Sequence, residues 1–158
     1  MSDKKKIIVF AIDGSYLPHL AAALRSFVET NHASQYLIGV IYSGINRSSI
    51  VEFTDHFSSF DLEISAKEVH AQFIEFSVAY HFNHTIFYRF LAPELYEEFD
   101  RILYLDSDII FTGDISDVFY LELNDQILGA VDKTPFFGVP SHLLGLVERY
   151  LASGLLLI

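Results

Sequence analysis

The sequence predicts an α/β domain with a mostly parallel central sheet and helices on both faces. Two observations carry that expectation. Over residues 7–64, short apolar runs of strand length alternate with segments whose apolar residues recur every three or four positions. That alternation builds parallel sheets through crossover connections. Acidic residues also follow directly on three of the apolar runs, as Ile12-Asp13, Leu105-Asp106 and Val131-Asp132. A carboxylate avoids burial without a partner, so each marks the end of a buried strand.

The elements follow in order. Residues 7–12 are a continuous apolar run closed by Asp13, Gly14 and Ser15, which reads as a buried strand ending in a turn. Leu17, Leu20, Ala21, Leu24, Phe27 and Val28 then mark one face of a helix that ends near Asn31, with Pro18 tolerated in its first turn. Residues 36–42 form a second run closed by Ser43 and Gly44, and a helical segment with Ile50, Val51, Phe53 and Phe57 comes next. Leu62 and Ile64 alternate with charges as a third, half-buried strand.

Residues 66–84 are less periodic, contain His70, His81 and His84, and are expected to form a helix and loop over one edge. Residues 85–91 and 93–99 read as two short helices broken at Pro93. Residues 102–105 are the best strand in the chain, followed by Asp106-Ser107-Asp108, an apolar stretch at 109–111 and a turn at Thr112-Gly113-Asp114. Residues 127–131 are a further strand ending in Asp132, and 155–158 one more. The sequence stops inside that last apolar run, so the expectation is a single domain over 1–158 that lacks its C-terminal part. No linker, repeat or low-complexity tract interrupts it.

Composition narrows the partners. A chain of 158 residues with 51% apolar content has enough material for one core. Ten basic against 21 acidic residues give a net charge of -11, which opposes binding to a nucleic-acid backbone. The same field repels any anionic small molecule, so such a substrate needs a bound cation, an arginine or a helix N-terminus to receive it. Cysteine is absent, which excludes thiol chemistry and disulfides and is compatible with the cytoplasm. The basic start MSDKKK leads into a short apolar run without a signal-peptide cleavage site, and no stretch approaches the roughly 18 uncharged apolar residues of a membrane span. A protein without a transmembrane segment is expected, free in the cytoplasm or peripheral to the inner face of the membrane.

In open α/β sheets ligands bind beyond the carboxyl ends of the strands, where the strand order reverses. Asp13, the pair Asp106 and Asp108, and Asp132 all sit at such ends. Two carboxylates one residue apart face the same side of an extended chain, and together suit a hard divalent cation such as manganese or magnesium. Ser107 between them is expected to point away. A cation held there would bridge diphosphate oxygens and neutralise a leaving group, which answers the repulsion from a chain of charge -11. A capped strand and turn is the plainer alternative for the same residues. His81-x-x-His84 has a spacing compatible with one helical face, but solvated or packing histidines explain it as well.

At this point the stretch TIFYRFLAPELYEEFDRILYLDSDIIFTGDISDVFYLEL, residues 85–123, resembles the central signature of glycosyltransferase family 8. The opening IIVFAIDGSYLPHLAAALRSF is similar to that family's first strand, nucleotide-binding loop and helix, and SGLLLI to a later core strand. The resemblance implies a GT-A fold, a UDP-sugar donor, a divalent cation usually taken as manganese, and retaining transfer of a hexose to a hydroxyl acceptor, either a saccharide, a lipid-linked saccharide or another alcohol. Carried over by position, Ala11, Asp13, Ser15 and Tyr16 match the loop around uracil and ribose, with Tyr16 stacking on the base. Arg89 matches an arginine at the donor site, Asp106, Ser107 and Asp108 the donor and metal motif, and Asp132 an acid near the transferred sugar. An arginine among Ile86, Phe87, Tyr88, Phe90 and Leu91 also needs a buried partner, so an ion pair to Asp106 is expected as an alternative or an addition.

The sequence departs from the family where Ala152 precedes Ser153-Gly154, in a place commonly held by an asparagine. The family's third metal ligand, a histidine, would lie beyond Ile158, and His142 is no substitute. Two alternatives stand beside transfer: a truncated or degenerate chain that binds nucleotide sugar without turnover, and a phosphatase of the haloacid dehalogenase type, which also places D-x-D after an apolar strand but needs it early in the chain.

Overall fold

A computed structural model describes residues 6–70, 84–138, 149 and 151–158. Strands β1 (Lys6–Ile12), β2 (Tyr36–Tyr42) and β3 (Glu63–Glu68) alternate with helices α1 (Leu17–Thr30) and α2 (Arg47–Ser58). A 3-10 helix (His84–Leu91) then runs into the single turn α3 (Ala92–Leu95), and β4 (Ile102–Leu105) follows. A second 3-10 helix (Ser116–Tyr120), β5 (Gly129–Asp132), α4 (Thr134–Phe137) and β6 (Leu151–Leu157) complete the order. The six strands form one sheet in the order β3-β2-β1-β4-β6-β5. β1 pairs in parallel with β2 and β4, and β2 with β3; β6 runs antiparallel to both β4 and β5.

Alternation along the strands sends side chains to two faces, and each face has its own core. Ile8, Phe10 and Ile12 join Ile38, Val40, Leu103 and Leu105 against Leu20, Leu24 and Phe27 of α1 and Ile50 and Phe57 of α2. Ile7, Val9, Ile41, Ile102 and Tyr104 point the other way, against Tyr88, Ala92 and Tyr96. Helices therefore cover both faces. Each large aliphatic or aromatic side chain so buried contributes roughly 1.5–3 kcal/mol.

Backbone close approach explains Gly39. Tyr96 lies over β2 at that point, its hydroxyl donating to the Ser65 carbonyl at 2.8 Å, and a Cβ on Gly39 would come within 2.7 Å of the ring's Cζ. Lys67 adds a clamp by donating to the Leu95 carbonyl with its ammonium 4.2 Å from the centre of the same ring. The charged residues Glu63, Lys67 and Glu68 on β3 suit its place at the sheet's edge.

Several boundaries differ from the expectation. Residues 85–91 are helical but 3-10, and the helix expected over 93–99 ends after one turn, because Tyr96 leaves the helix to cover Gly39. Residues 66–68 continue β3, and the rest of the helix expected before residue 84 lies largely outside the described residues. β5 begins at Gly129, leaving Ile127 88% exposed and ahead of the strand. β6 begins at Leu151, four residues before its expected start, and its pairing with β5 shifts register between Ala130 and Asp132. No helix among the described residues is long and apolar enough to cross a membrane.

Candidate donor and metal site

The sheet order sets the place of the site before any side chain is considered. From β1 the chain moves outward through β2 and β3, then returns to β4 on β1's other flank. Strand order reverses between β1 and β4, and the crevice beyond their carboxyl ends is where such sheets bind ligands. A cleft opens there. Ala11, Ile12 and Tyr16 line it from the end of β1, Tyr104, Asp106, Ser107 and Asp108 from the end of β4, and Thr85, Ile86 and Arg89 from the 3-10 helix above.

The registers explain why these residues meet. Val9 pairs with Tyr104, so continuing that register by two sets Ala11 level with Asp106. Ile102, Tyr104 and Asp106 alternate onto the face covered by the 3-10 helix, which brings Asp106 toward Arg89. The guanidinium is fixed on several sides. Its Nε donates to the Ile86 carbonyl at 2.7 Å, Nη1 donates to the Ser153 carbonyl, and the group sits 5.0 Å from the centre of the Tyr104 ring. Its Nη2 donates to Asp106 Oδ1 at 3.3 Å, the ion pair expected for an arginine in so apolar a segment. The Arg89 side chain is 11% exposed and that of Asp106 42%. Burial pushes the Tyr104 phenol well above its ordinary value, with Arg89 opposing the shift and Asp106 adding to it.

Asp106 is also seated from the β6 side. Its N–H donates to the Gly154 carbonyl at 2.9 Å, and a Cβ on Gly154 would collide with the Asp106 carboxylate. Gly154, Tyr104, Thr85 and Ile86 were not marked as site residues by the sequence. Tyr104 was detectable in principle, since it precedes the motif by two and shares its face; the contact to Gly154 spans 48 positions and leaves no local signal.

The other expected residues are placed as follows. Ser107 lines the cleft yet is only 4% exposed, so it is a packed residue at the cleft floor and not one turned out to solvent. Asp108 is exposed at the rim. Tyr16 is 43% exposed, with the His19 ring 5.1 Å away. Asp13 and Ser15 shape the turn that presents Tyr16: Asp13 Oδ1 accepts from Ser15 N at 2.9 Å and from Ser15 Oγ at 2.6 Å, while Tyr16 N donates to the Asp13 carbonyl at 3.1 Å. Neither lines the cleft itself. Asp132 stands on the edge strand β5, two strands from β4, where it accepts from Thr134 N at 2.9 Å and faces Arg149 at 3.9 Å. It too is absent from the cleft lining. His70 is exposed, whereas His81, His142 and the side chain of His84 lie outside the described residues.

Two carboxylates offer hard oxygen ligands of the kind that magnesium and manganese accept, and they open onto the cleft, so the donor set fits such an ion. Among the described residues no group of three or more His, Cys, Asp or Glu side chains adds to that set.

A mostly parallel sheet with one reversed strand, β6, and this switch-point cleft belongs to the GT-A class of glycosyltransferase folds, and solved structures bear this out. The galactosyltransferase LgtC in complex with donor and acceptor sugar analogues superposes with a TM-score of 0.79 at 23% identity, over 96% of this chain and 57% of that one. The apo form of the glycosyltransferase GlyE of Streptococcus pneumoniae TIGR4 gives 0.69 at 25% identity, over 98% and 34%. Residues 7–158 match the model of glycosyl transferase family 8, and the chain belongs to that family. In sequence it is 30% identical to GlyE over 138 residues and 31% identical to GlyF of the same organism over 137, covering 82% and 81% of this chain. The chain spans about a third of the length of these two relatives, 32% of each.

Proposed function

We propose that this chain is the donor-binding part of a retaining glycosyltransferase that moves a hexose from a UDP-sugar to a hydroxyl acceptor. The observation that carries the proposal is the meeting of Asp106, Asp108, Arg89 and Tyr16 around one cleft at the sheet's switch point. Asp106 and Asp108 would hold a divalent cation, manganese or magnesium. When bound, such an ion supplies positive charge to the diphosphate as it becomes the leaving group.

The chain's own residues do the rest. Tyr16 offers an exposed ring to stack on the uracil, at the end of the turn that Asp13 and Ser15 stabilise. Ala11 and Ile12 present a small, apolar wall at the end of β1. Arg89 adds a fixed cationic donor beneath the pyrophosphate and sugar. Ser107 packs the floor that holds the two carboxylates apart from the core. Asp132 is retained as the acid near the transferred sugar, and its hydrogen bond from Thr134 N orients it. Among the described residues no carboxylate lines the cleft besides Asp106 and Asp108, which favours front-face attack by the acceptor hydroxyl over a covalent glycosyl-enzyme. The acceptor is a saccharide, a lipid-linked saccharide or another alcohol, met in the cytoplasm or at the inner membrane face.

A second reading is nucleotide-sugar binding without turnover, favoured by two carboxylates without a further clustered ligand among the described residues. One experiment separates them. Thermal shift with manganese and a panel of nucleotide sugars is expected to show stabilisation by UDP-hexoses and not by GDP- or ADP-sugars. Release of UDP in the presence of hydroxyl acceptors then indicates transfer, whereas stabilisation without release selects binding alone. No stabilisation by any UDP-sugar contradicts both.

A further inference from the structure

We propose that Arg89 and the divalent cation compete for Asp106: in the ligand-free protein the carboxylate pairs with the guanidinium, and once the cation draws the carboxylate away the guanidinium, held in place, is left to bond the donor's phosphates. The inference rests on the cation-dependent donor site proposed above, and adds an order of events within it.

The observation is that Asp106 is already paired inside the protein. Oδ1 accepts from Arg89 Nη2 at 3.3 Å, and Oδ2 packs against Gly154 so closely that a Cβ there would have no room. A cation drawing on Oδ1 competes with the guanidinium for the same oxygen. The two partners differ in their freedom to move. Arg89 is held at Nε by Ile86 and at Nη1 by Ser153, and it lies over the Tyr104 ring with only 11% of its side chain exposed. Asp106 is a short side chain at the end of a strand, 42% exposed at the cleft. The carboxylate therefore moves and the guanidinium stays.

Once Asp106 turns away, Nη2 is a charged donor without its acceptor, at a residue that lines the cleft. A partly buried guanidinium left short of a partner is costly, and an anionic phosphate oxygen restores the bond in its charge-assisted form. Cation binding thus prepares the site for the diphosphate, and by linkage the diphosphate favours the cation to the same degree. In the ligand-free state the same pair keeps a negatively charged chain from exposing a bare carboxylate beside the exposed Asp108.

The test is manganese binding to the nucleotide-free protein, read from the electron paramagnetic resonance signal of free Mn2+. Arg89→Met is expected to bind Mn2+ about fivefold more tightly than wild type, the scale of a partly exposed ion pair, and to lose the mutual enhancement between Mn2+ and UDP. Equal or weaker Mn2+ binding by the variant overturns the competition. Absence of Mn2+ binding to wild type, with or without UDP, instead overturns the proposed function. Should Arg89→Met fail to fold, magnesium titration of the 15N-labelled wild type decides the matter. The Arg89 Nη resonances are expected to shift while Nε, bonded to Ile86, stays in place; unmoved Nη resonances at saturating magnesium overturn the proposal.

Discussion

Asp106 shows how much of a functional position is set by residues far from it in sequence. Its strand was legible from the apolar run before it, and its place at the carboxyl end of that strand from the acidic residue that closes the run. Arg89 as its partner was also legible, because a guanidinium among five large apolar neighbours needs one. The seat on Gly154 was not, since it depends on the antiparallel register that pairs Leu105 with Leu155. Gly154→Ala is expected to fold at a cost of about 1–3 kcal/mol for overpacking and to weaken Mn2+ binding about tenfold by displacing the carboxylate. Denaturant melts and the Mn2+ resonance signal check the two halves separately. A variant that loses stability yet keeps wild-type Mn2+ affinity would show that Gly154 serves the sheet alone.

At the level of elements, periodicity marked the strands and long helices well and the connecting segments poorly. α1 follows its apolar spacing because it has one clear buried face, and β2 its continuous apolar run because it is buried on both. The segment around Pro93 fails as two α-helices because tertiary contacts outweigh local preference: Tyr88 and Tyr96 are both fully buried and anchor it to the sheet, and Tyr96 breaks away to lie on β2. Gly39→Ala is therefore expected to destabilise the protein by about 1–3 kcal/mol, since the ring and its hydrogen bond to Ser65 have to shift. Chemical denaturation measures this directly. The loop after Asp108 is tied down by the same logic, with Phe111 N donating to Ser26 Oγ at 2.9 Å, Ile115 N donating to Asn31 Oδ1 at 2.9 Å, and the Phe111 and Phe27 rings 5.1 Å apart. The sequence suggested a turn at Thr112-Gly113-Asp114 but held no sign that α1 anchors it.

For the whole molecule, the acidic balance connects stability to function. Asp114 and Asp132 are both held below the ordinary carboxylate value of 3.8, mainly by hydrogen bonds from Ser116 and from Thr134. A carboxylate with a depressed value in the fold adds stability that is present above its unfolded value and is lost as pH falls through the folded one. The melting temperature is thus expected to be insensitive to these groups between neutral pH and about pH 5, and to fall below about pH 4. Asp114→Asn should flatten part of that acid limb, and an unchanged limb would remove Asp114 from it. At neutral pH the net charge of -11 stands against every anionic ligand. The decisive measurement is calorimetric titration of UDP into the protein with manganese, after chelation, and with Asp106→Ala. The expected result is binding with manganese that weakens at least about 100-fold on chelation or substitution. Equal binding of UDP in all three would contradict the cation-centred site.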